Sequence, residues 1–221
     1  MILLILKKIL AILSNKNHFL ENYGIACEGG RSMAIVIESR RKKPETFLGR
    51  FPGAVLVDVT SRGEMPWVKF SPFFPHGGIP VPMSPGRFAH SVEGIRQGLK
   101  VFETEGVDLS KFEVKTMNGL KRSVRTRGRV LGHRAGVPNP ALLGYREARY
   151  KIYLPAYRWV LDNCLQTELQ RLRELAATAT VVLLDYETNS EVENLKSPLS
   201  HASLIVRYLE NHWPEIPEFP A

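Results

Sequence analysis

The chain has 221 residues, 44% hydrophobic and 24% charged, and 30 Lys and Arg against 22 Asp and Glu give it a formal net charge of +8. That length and apolar content suit one domain, since two would each be small. The positive excess points to an anionic partner, whether nucleic acid, nucleotide or acidic membrane, without choosing among them. Cys27 and Cys164 lie far apart and make no CxxC or zinc spacing, so both are expected as reduced thiols in a cytoplasmic protein without a structural metal.

Residues 1–32 open with MILLILKKILAIL, where Lys7 and Lys8 interrupt the apolar run after six residues. Six are too few to span a membrane, and no basic segment precedes them as in a signal peptide. This stretch is expected to be an accessory helix or an upstream extension, with no membrane span. A compact domain is expected over 33–212. In it, MAIVIES (33–39) and AVLVDVTS (54–61) are β-rich apolar runs, and Pro44 opens a helix between them.

Residues 62–88 then hold Pro66, Pro72, Pro75, Pro80, Pro82 and Pro85 among many aromatics, the composition of a long functional loop. A helix is expected over about 89–104. A basic irregular stretch follows, and then a long helical region over about 139–176, interrupted at Pro155 and Asn163. TATVVLLDY reads as a buried strand. Ser197 as cap and Pro198 at the first position announce a last helix, with Leu199, Leu204, Ile205, Tyr208 and Leu209 facing inward. The proline-rich tail, 213–221, is expected to be extended or disordered. The fold class is therefore α+β, a helix-rich single domain with a small β-sheet.

Three places carry candidate chemistry. In SVEGIRQGLKVF (91–102) a helix brings Glu93, Gln97 and Lys100 within an arc of about 80°, opposite Ile95, Leu99 and Phe102. Gly94 and Gly98 each cost about 1 kcal/mol relative to Ala inside an exposed helix, so another backbone or a ligand is expected against their flank. The second place is the stretch 115–134, whose cations are Lys115, Lys121, Arg122, Arg125, Arg127, Arg129 and Arg134, with no acid among them. Forked Arg donors in a glycine-containing segment suit phosphate, although no Walker or Rossmann pattern is present. The third is LLDYETNSEVEN, where Asp185 stands at the end of an apolar strand and is expected to be held ionised beside the basic site. His201, in the first turn of the last helix, reads on its own as a capping or packing residue.

SVEGIRQGLKVF resembles the motif sVEh.yQa.K.f of the NADAR superfamily, the YbiA-like N-glycosidases, at Ser91, Val92, Glu93, Gln97, Lys100 and Phe102. WVKFSPFFPHGGIPVP is similar to that superfamily's aromatic entry to the same helix, through Phe70, Ser71 and Pro72. Residues 33–210 resemble more closely a bacterial and phage domain family with the pattern VDVTSKG, WVKFSPFFPHG, SVEGIWQGLKVF, LGHR and VLLDYNTN, a likeness that carries no activity. After the acidic strand the chain departs from the superfamily: it has neither the WG pair nor the N.LG helix start, and His201 stands near the expected asparagine.

The superfamily resemblance implies a NADAR-like fold and cleavage of an N-glycosidic bond in a ribosylated or ADP-ribosylated base, with no metal and no cofactor. Such cleavage builds oxocarbenium character on the ribose and needs a carboxylate nearby, with an activated water or an amine nucleophile. On that reading Glu93 is the general acid/base or cation stabiliser, Lys100 contacts or attacks the ribose, Gln97 orients a hydroxyl and Asp185 completes the site. Trp67, Phe70 and Phe73 stack on the base, His76 and His201 join the binding wall, and Arg134 with the basic stretch holds phosphate. The ligand is then an ADP-ribose-like molecule or nucleotide. The other reading is a non-catalytic nucleic-acid-binding protein that uses residues 115–134 on the backbone and the aromatic loop 67–74 for stacking. A third is a structural protein whose basic loop docks on an acidic partner.

Overall fold

The computed structural model describes residues 34–219. The expectations for residues 1–32, for Met33 and Cys27, and for the last two tail residues lie outside the described residues.

Strand β1 (Ile35–Ser39) leads to helix α1 (Pro44–Arg50), which begins on Pro44 because the ring presets φ and its missing N–H is one that no helix start can pair. Strand β2 (Val55–Asp58) follows, then a loop holding a 3-10 turn at Trp67–Phe70 and the short antiparallel pair β3 (Ile79–Pro80) and β4 (Phe88–Ala89). Helix α2 (Val92–Leu99) is capped by Ser91, whose hydroxyl accepts from the Gly94 amide, and runs straight into β5 (Lys100–Phe102). A second 3-10 turn at Leu109–Glu113 precedes the one-turn helix α3 (Val124–Arg127), β6 (Val130–Arg134) and β7 (Leu142–Leu143). The helical region comprises α4 (Tyr145–Ala148), a π turn at Arg149–Tyr153, α5 (Leu154–Cys164) and α6 (Gln166–Thr178). β8 (Val181–Asp185) and α7 (His201–Leu209) close the fold.

The last strand in sequence is the middle one in space. β1 and β2 both pair with β8 in parallel, in the order β1-β8-β2, and every residue of β8 is buried. A strand covered on both faces reads as an unbroken apolar run, as VVLLD begins. Its period of two sends Val181 and Leu183 to the main core with Tyr157, Leu169, Leu204 and Ile205, and Val182 and Leu184 to Phe47 and Phe51 on the other face. A separate antiparallel sheet, β5-β6-β7, lies beyond α2. The class is α+β with small sheets, as expected.

Several expected boundaries move. α2 stops at Leu99, and Lys100 is extended (φ −70°, ψ 136°) because residues 100–102 pair with β6; Lys100 therefore leaves the helical arc of Glu93 and Gln97. Pro155 does not interrupt the helical region. It enters at the start of α5, directly after the π turn, where a missing N–H costs little. The break falls at Leu165 (φ −123°, ψ 14°) rather than Asn163. α7 is capped by Ser200, which accepts from the Ser203 amide, while Ser197 and Pro198 stay in the preceding loop, where Arg149 donates to the Ser197 carbonyl. Leu204, Ile205 and Leu209 are buried as expected. The tail packs over its described part: Trp213 meets Tyr208 edge-on and Phe219 meets Tyr150. Among the described residues no helix is long and apolar enough to cross a membrane.

The glycines of α2 face protein. A Cβ on Gly94 would stand 2.6 Å from the Lys111 carbonyl oxygen, and one on Gly98 would run into the Phe112 ring. In α1, by contrast, a Cβ on Gly49 would meet nothing within 4 Å. The same substitution therefore has opposite signs at the two sites. Gly49→Ala is expected to stabilise by about 0.5–1 kcal/mol through helix propensity, and Gly98→Ala to destabilise by about 1–2 kcal/mol because overpacking outweighs that gain. Urea-unfolding midpoints of the two variants check this.

Candidate functional site at the carboxyl edge of the parallel sheet

Open sheets with parallel strands tend to take ligands just outside the carboxyl ends of those strands. Here the three carboxyl ends meet a cavity of about 530 Å³. Arg41 follows β1, Thr60 and Ser61 follow β2, and Tyr186 and Glu187 follow Asp185 of β8. The facing wall carries Glu93 and Arg96 from α2, His133 from β6, Phe73 and Lys121 from two loops, and Tyr145, Arg149 and Tyr153 from the α4 and π-turn segment.

Glu93 is 3% exposed. Arg96 donates to both of its oxygens, at 2.8 and 2.6 Å, and the Gln97 amide donates to Oε1 at 2.7 Å. Burial pulls its pKa up, but the Arg96 charge, these hydrogen bonds and the Lys100 charge outweigh it and hold the carboxyl below its usual value. Gln97 is used up in this support, because its Oε1 accepts from the Arg122 amide at 3.1 Å. Lys100 stands behind Glu93 rather than in the cavity lining. Its ammonium lies 5.8 Å from the Phe102 ring centroid, and burial, reinforced by the Arg96 charge, pushes its pKa down to about 8.

Asp185 and His201 form the floor. One Asp185 oxygen accepts from the Tyr186 amide at 2.7 Å; the other accepts from Ser200 Oγ at 2.8 Å and the Ala202 amide at 3.2 Å and lies 3.0 Å from His201 Nδ1. His201 Nε2 lies 2.8 Å from the Val59 carbonyl oxygen. Both ring nitrogens thus face acceptors, and only the imidazolium satisfies both. Burial lowers the His201 pKa, but the Asp185 charge and the two hydrogen bonds raise it further, to a value above the ordinary one. Asp185, which burial alone would raise, is held at about 2, chiefly by the His201 charge.

Of the sequence candidates, Glu93, Asp185, Phe73 and His201 line the cavity, and Gln97 and Lys100 back it. Four others lie outside the lining. Phe70 is fully buried and its carbonyl accepts from the Tyr157 hydroxyl. Trp67 stacks with Phe70 and lies under Arg171. His76 Nε2 lies 2.8 Å from the Lys69 carbonyl oxygen, and Arg134 donates to the Asn139 carbonyl. The basic stretch is not one open face either. Arg127 pairs with Glu105, Arg129 with Glu103, and buried Arg122 with Glu105 and three carbonyls. Those acids enter from outside the stretch, just after β5.

Sequence reasoning missed His133, Arg96, Arg149, Tyr145 and Tyr153. His133 was within reach: residues alternate faces along a strand, so in VLGHR an inward His133 requires an outward Arg134. Arg149 is 3% exposed and donates to the Val192, Asn194 and Ser197 carbonyls and the Tyr145 hydroxyl, with no carboxylate within ion-pair distance among the described residues. Among the described residues no group of three His, Cys, Asp or Glu side chains stands close enough to hold a metal ion.

The arrangement is that of an α+β protein with a net-cationic cavity at the carboxyl edge of its parallel sheet. Residues 39–205 of the 221 match the family described as a family of unknown function (DUF6939), and the chain belongs to it. No curated protein and no solved structure matches the chain.

The floor pair sets a pH window for stability. Asp185 contributes fully above its unfolded value of 3.8 and loses that contribution as pH falls toward 2. His201 contributes fully below its unfolded value of 6.5 and loses its contribution as pH rises through its higher folded value. The difference in thermal midpoint between the wild type and His201→Gln is therefore expected to be largest at pH 5–6 and to shrink as pH rises to 9. Calorimetry across that range checks it.

Proposed function

We propose that the protein is an N-glycosidase that acts on a ribosylated or ADP-ribosylated base, with a fold and chemistry akin to the NADAR superfamily. The observation that carries this reading is Glu93: a buried carboxylate kept ionised against its own desolvation and set in the wall of a cavity large enough for a nucleotide. Breaking an N-glycosidic bond spreads positive charge over the anomeric carbon and ring oxygen, and a carboxylate with a low pKa stays charged to meet it. Lys100 stands behind Glu93, outside the cavity lining, so its part is indirect: its charge helps keep Glu93 ionised, and with a pKa of about 8 that charge begins to be lost just above neutral pH.

The rest of the wall suits a nucleotide. Arg149 is a buried cation without a carboxylate partner among the described residues, and Lys121 stands at the rim with Arg41, which is paired with Glu187; Arg149 and Lys121 are the cations that favour phosphate. Phe73, Tyr145 and Tyr153 offer ring faces to a base. Asp185 acts through the floor it anchors, since its oxygens are taken by protein donors. The nucleic-acid reading asks residues 115–134 to present their cations together, and the pairing of Arg122, Arg127 and Arg129 works against it.

Release of free base from ADP-ribosylated guanosine and from ribosylated pyrimidines, followed by chromatography, tests the proposal. Glu93→Gln is expected to lower kcat about 10²–10⁴-fold while KM stays within a few-fold. The wild-type rate is expected to rise with pH through about 8, because a neutral Lys100 no longer opposes the cation that forms beside Glu93, and Lys100→Arg, which stays charged, to lose that rise while keeping the rate seen below about pH 7. No base release from any of these glycosides, or full activity in Glu93→Gln, overturns it.

A further inference from the structure

Among the described residues, the buried side-chain nitrogens without a hydrogen-bond partner are both ring nitrogens of His133, Nε of Arg149 and Nε of Arg122. His133 and Arg149 both line the cavity. Buried polar atoms are almost always paired, so orphans gathered at one wall call for a partner, and at a cavity wall a ligand can supply it.

His133 is the stronger case. It is 3% exposed, sits opposite Lys100 in the β5-β6 register and belongs to a strand against which α2, carrying Glu93 and Arg96, is packed. Its neighbour Arg134 faces away, to Asn139. Burial first, then the charges of Arg96 and Lys100, push its pKa down to about 3 against the opposing pull of Glu93, so the ring is neutral at physiological pH. A neutral imidazole presents one N–H donor and one acceptor nitrogen. Phosphate, which only accepts, answers half of that pattern. Hydroxyls, which donate and accept, answer all of it.

We propose that His133 binds the sugar hydroxyls of the ligand, so that a ribose ring lies on the β6 wall beside Glu93 while Arg149 and the rim cations meet the anionic part. This rests on the reading of the cavity as a glycoside site and assigns the part of the glycoside that this wall recognises.

The test is equilibrium binding, without turnover, of ribose 5-phosphate and its 2-deoxy and 3-deoxy analogues to the wild-type protein and to His133→Leu and His133→Gln. The wild type is expected to bind ribose 5-phosphate at least about tenfold more tightly than one of the deoxy analogues, as a lost hydrogen bond to a buried polar group predicts. His133→Leu is expected to lose that preference while its thermal midpoint stays level or rises by about 3 °C, since an orphaned polar group has been removed. His133→Gln keeps part of the preference. A wild type that binds none of the three sugars, an undiminished preference in His133→Leu, or His133→Leu destabilised with sugar discrimination intact overturns the proposal.

Should His133→Leu fail to fold, the ring ¹⁵N shifts of wild-type His133 decide. A nitrogen that becomes hydrogen-bonded on addition of ribose 5-phosphate supports the assignment, and unchanged shifts overturn it. Sugar binding that depends on His133 in a protein that releases no base removes the enzyme reading and leaves the sugar site.

Discussion

Four donors converge on one buried carboxylate, that of Asp185, and the geometry of the cavity depends on that convergence. Tyr186 holds one oxygen; Ser200, His201 and Ala202 hold the other, and His201 reaches on to the carbonyl of Val59. The end of the central strand, the end of its neighbour β2 and the first turn of α7 are thereby fixed to one another. A charge here is tolerated because it is paired and fully hydrogen-bonded; the same carboxylate with one donor missing would face several kcal/mol of uncompensated desolvation. The helix adds its own share, since the amides at its start present partial positive charge to the anion.

The facing wall obeys another economy. Glu93, Arg96, Lys100, Arg149 and His133 bring ionisable groups into one neighbourhood, yet only Glu93 and Arg96 satisfy one another in full view of the cavity. Arg149 donates to carbonyls, Lys100 lies against the Phe102 ring within reach of the Glu93 and Arg96 charges, and His133 has no hydrogen-bond partner among the described residues. Arrangements of this kind are costly to a fold that needs only to be stable, and they recur where a protein holds groups ready for a ligand. The pattern is uneven in an informative way: the floor is saturated and the wall is not.

Much of the frame was legible from sequence because it follows from simple periodicities. The apolar run of β8 announced a buried strand, Pro44 announced the start of α1, and Gly94 and Gly98 announced a close approach that proved to be the backbone of Lys111 and the ring of Phe112. Glu93 and Asp185 stand nearly a hundred positions apart in sequence and line one cavity. What escaped was set by contacts between distant segments. The acids that neutralise Arg127 and Arg129 lie outside the basic stretch, so its charge looked more available than it is. Phe70 and Trp67 looked like stacking surfaces because composition cannot tell a loop that lines a site from one that plugs the core. Lys100 slipped out of its helix through pairing with β6, a register that no local propensity encodes.

The π turn at Arg149–Tyr153 has a consequence for how this segment tolerates change. Tyr145, Arg149 and Tyr153 recur every four residues, a spacing that drifts about 40° per step around an α-helix. The wider π turn takes back that drift over the second step, which keeps all three side chains on the cavity side. Deleting a single residue there would restore an ordinary helix, and because four α residues turn the chain about as far as the five of a π turn, the segments on either side would keep their facing and only the bulge would be lost. What such a deletion removes is the alignment of Arg149 with Tyr153 on the cavity side, while the packing of α5 behind them is left in place.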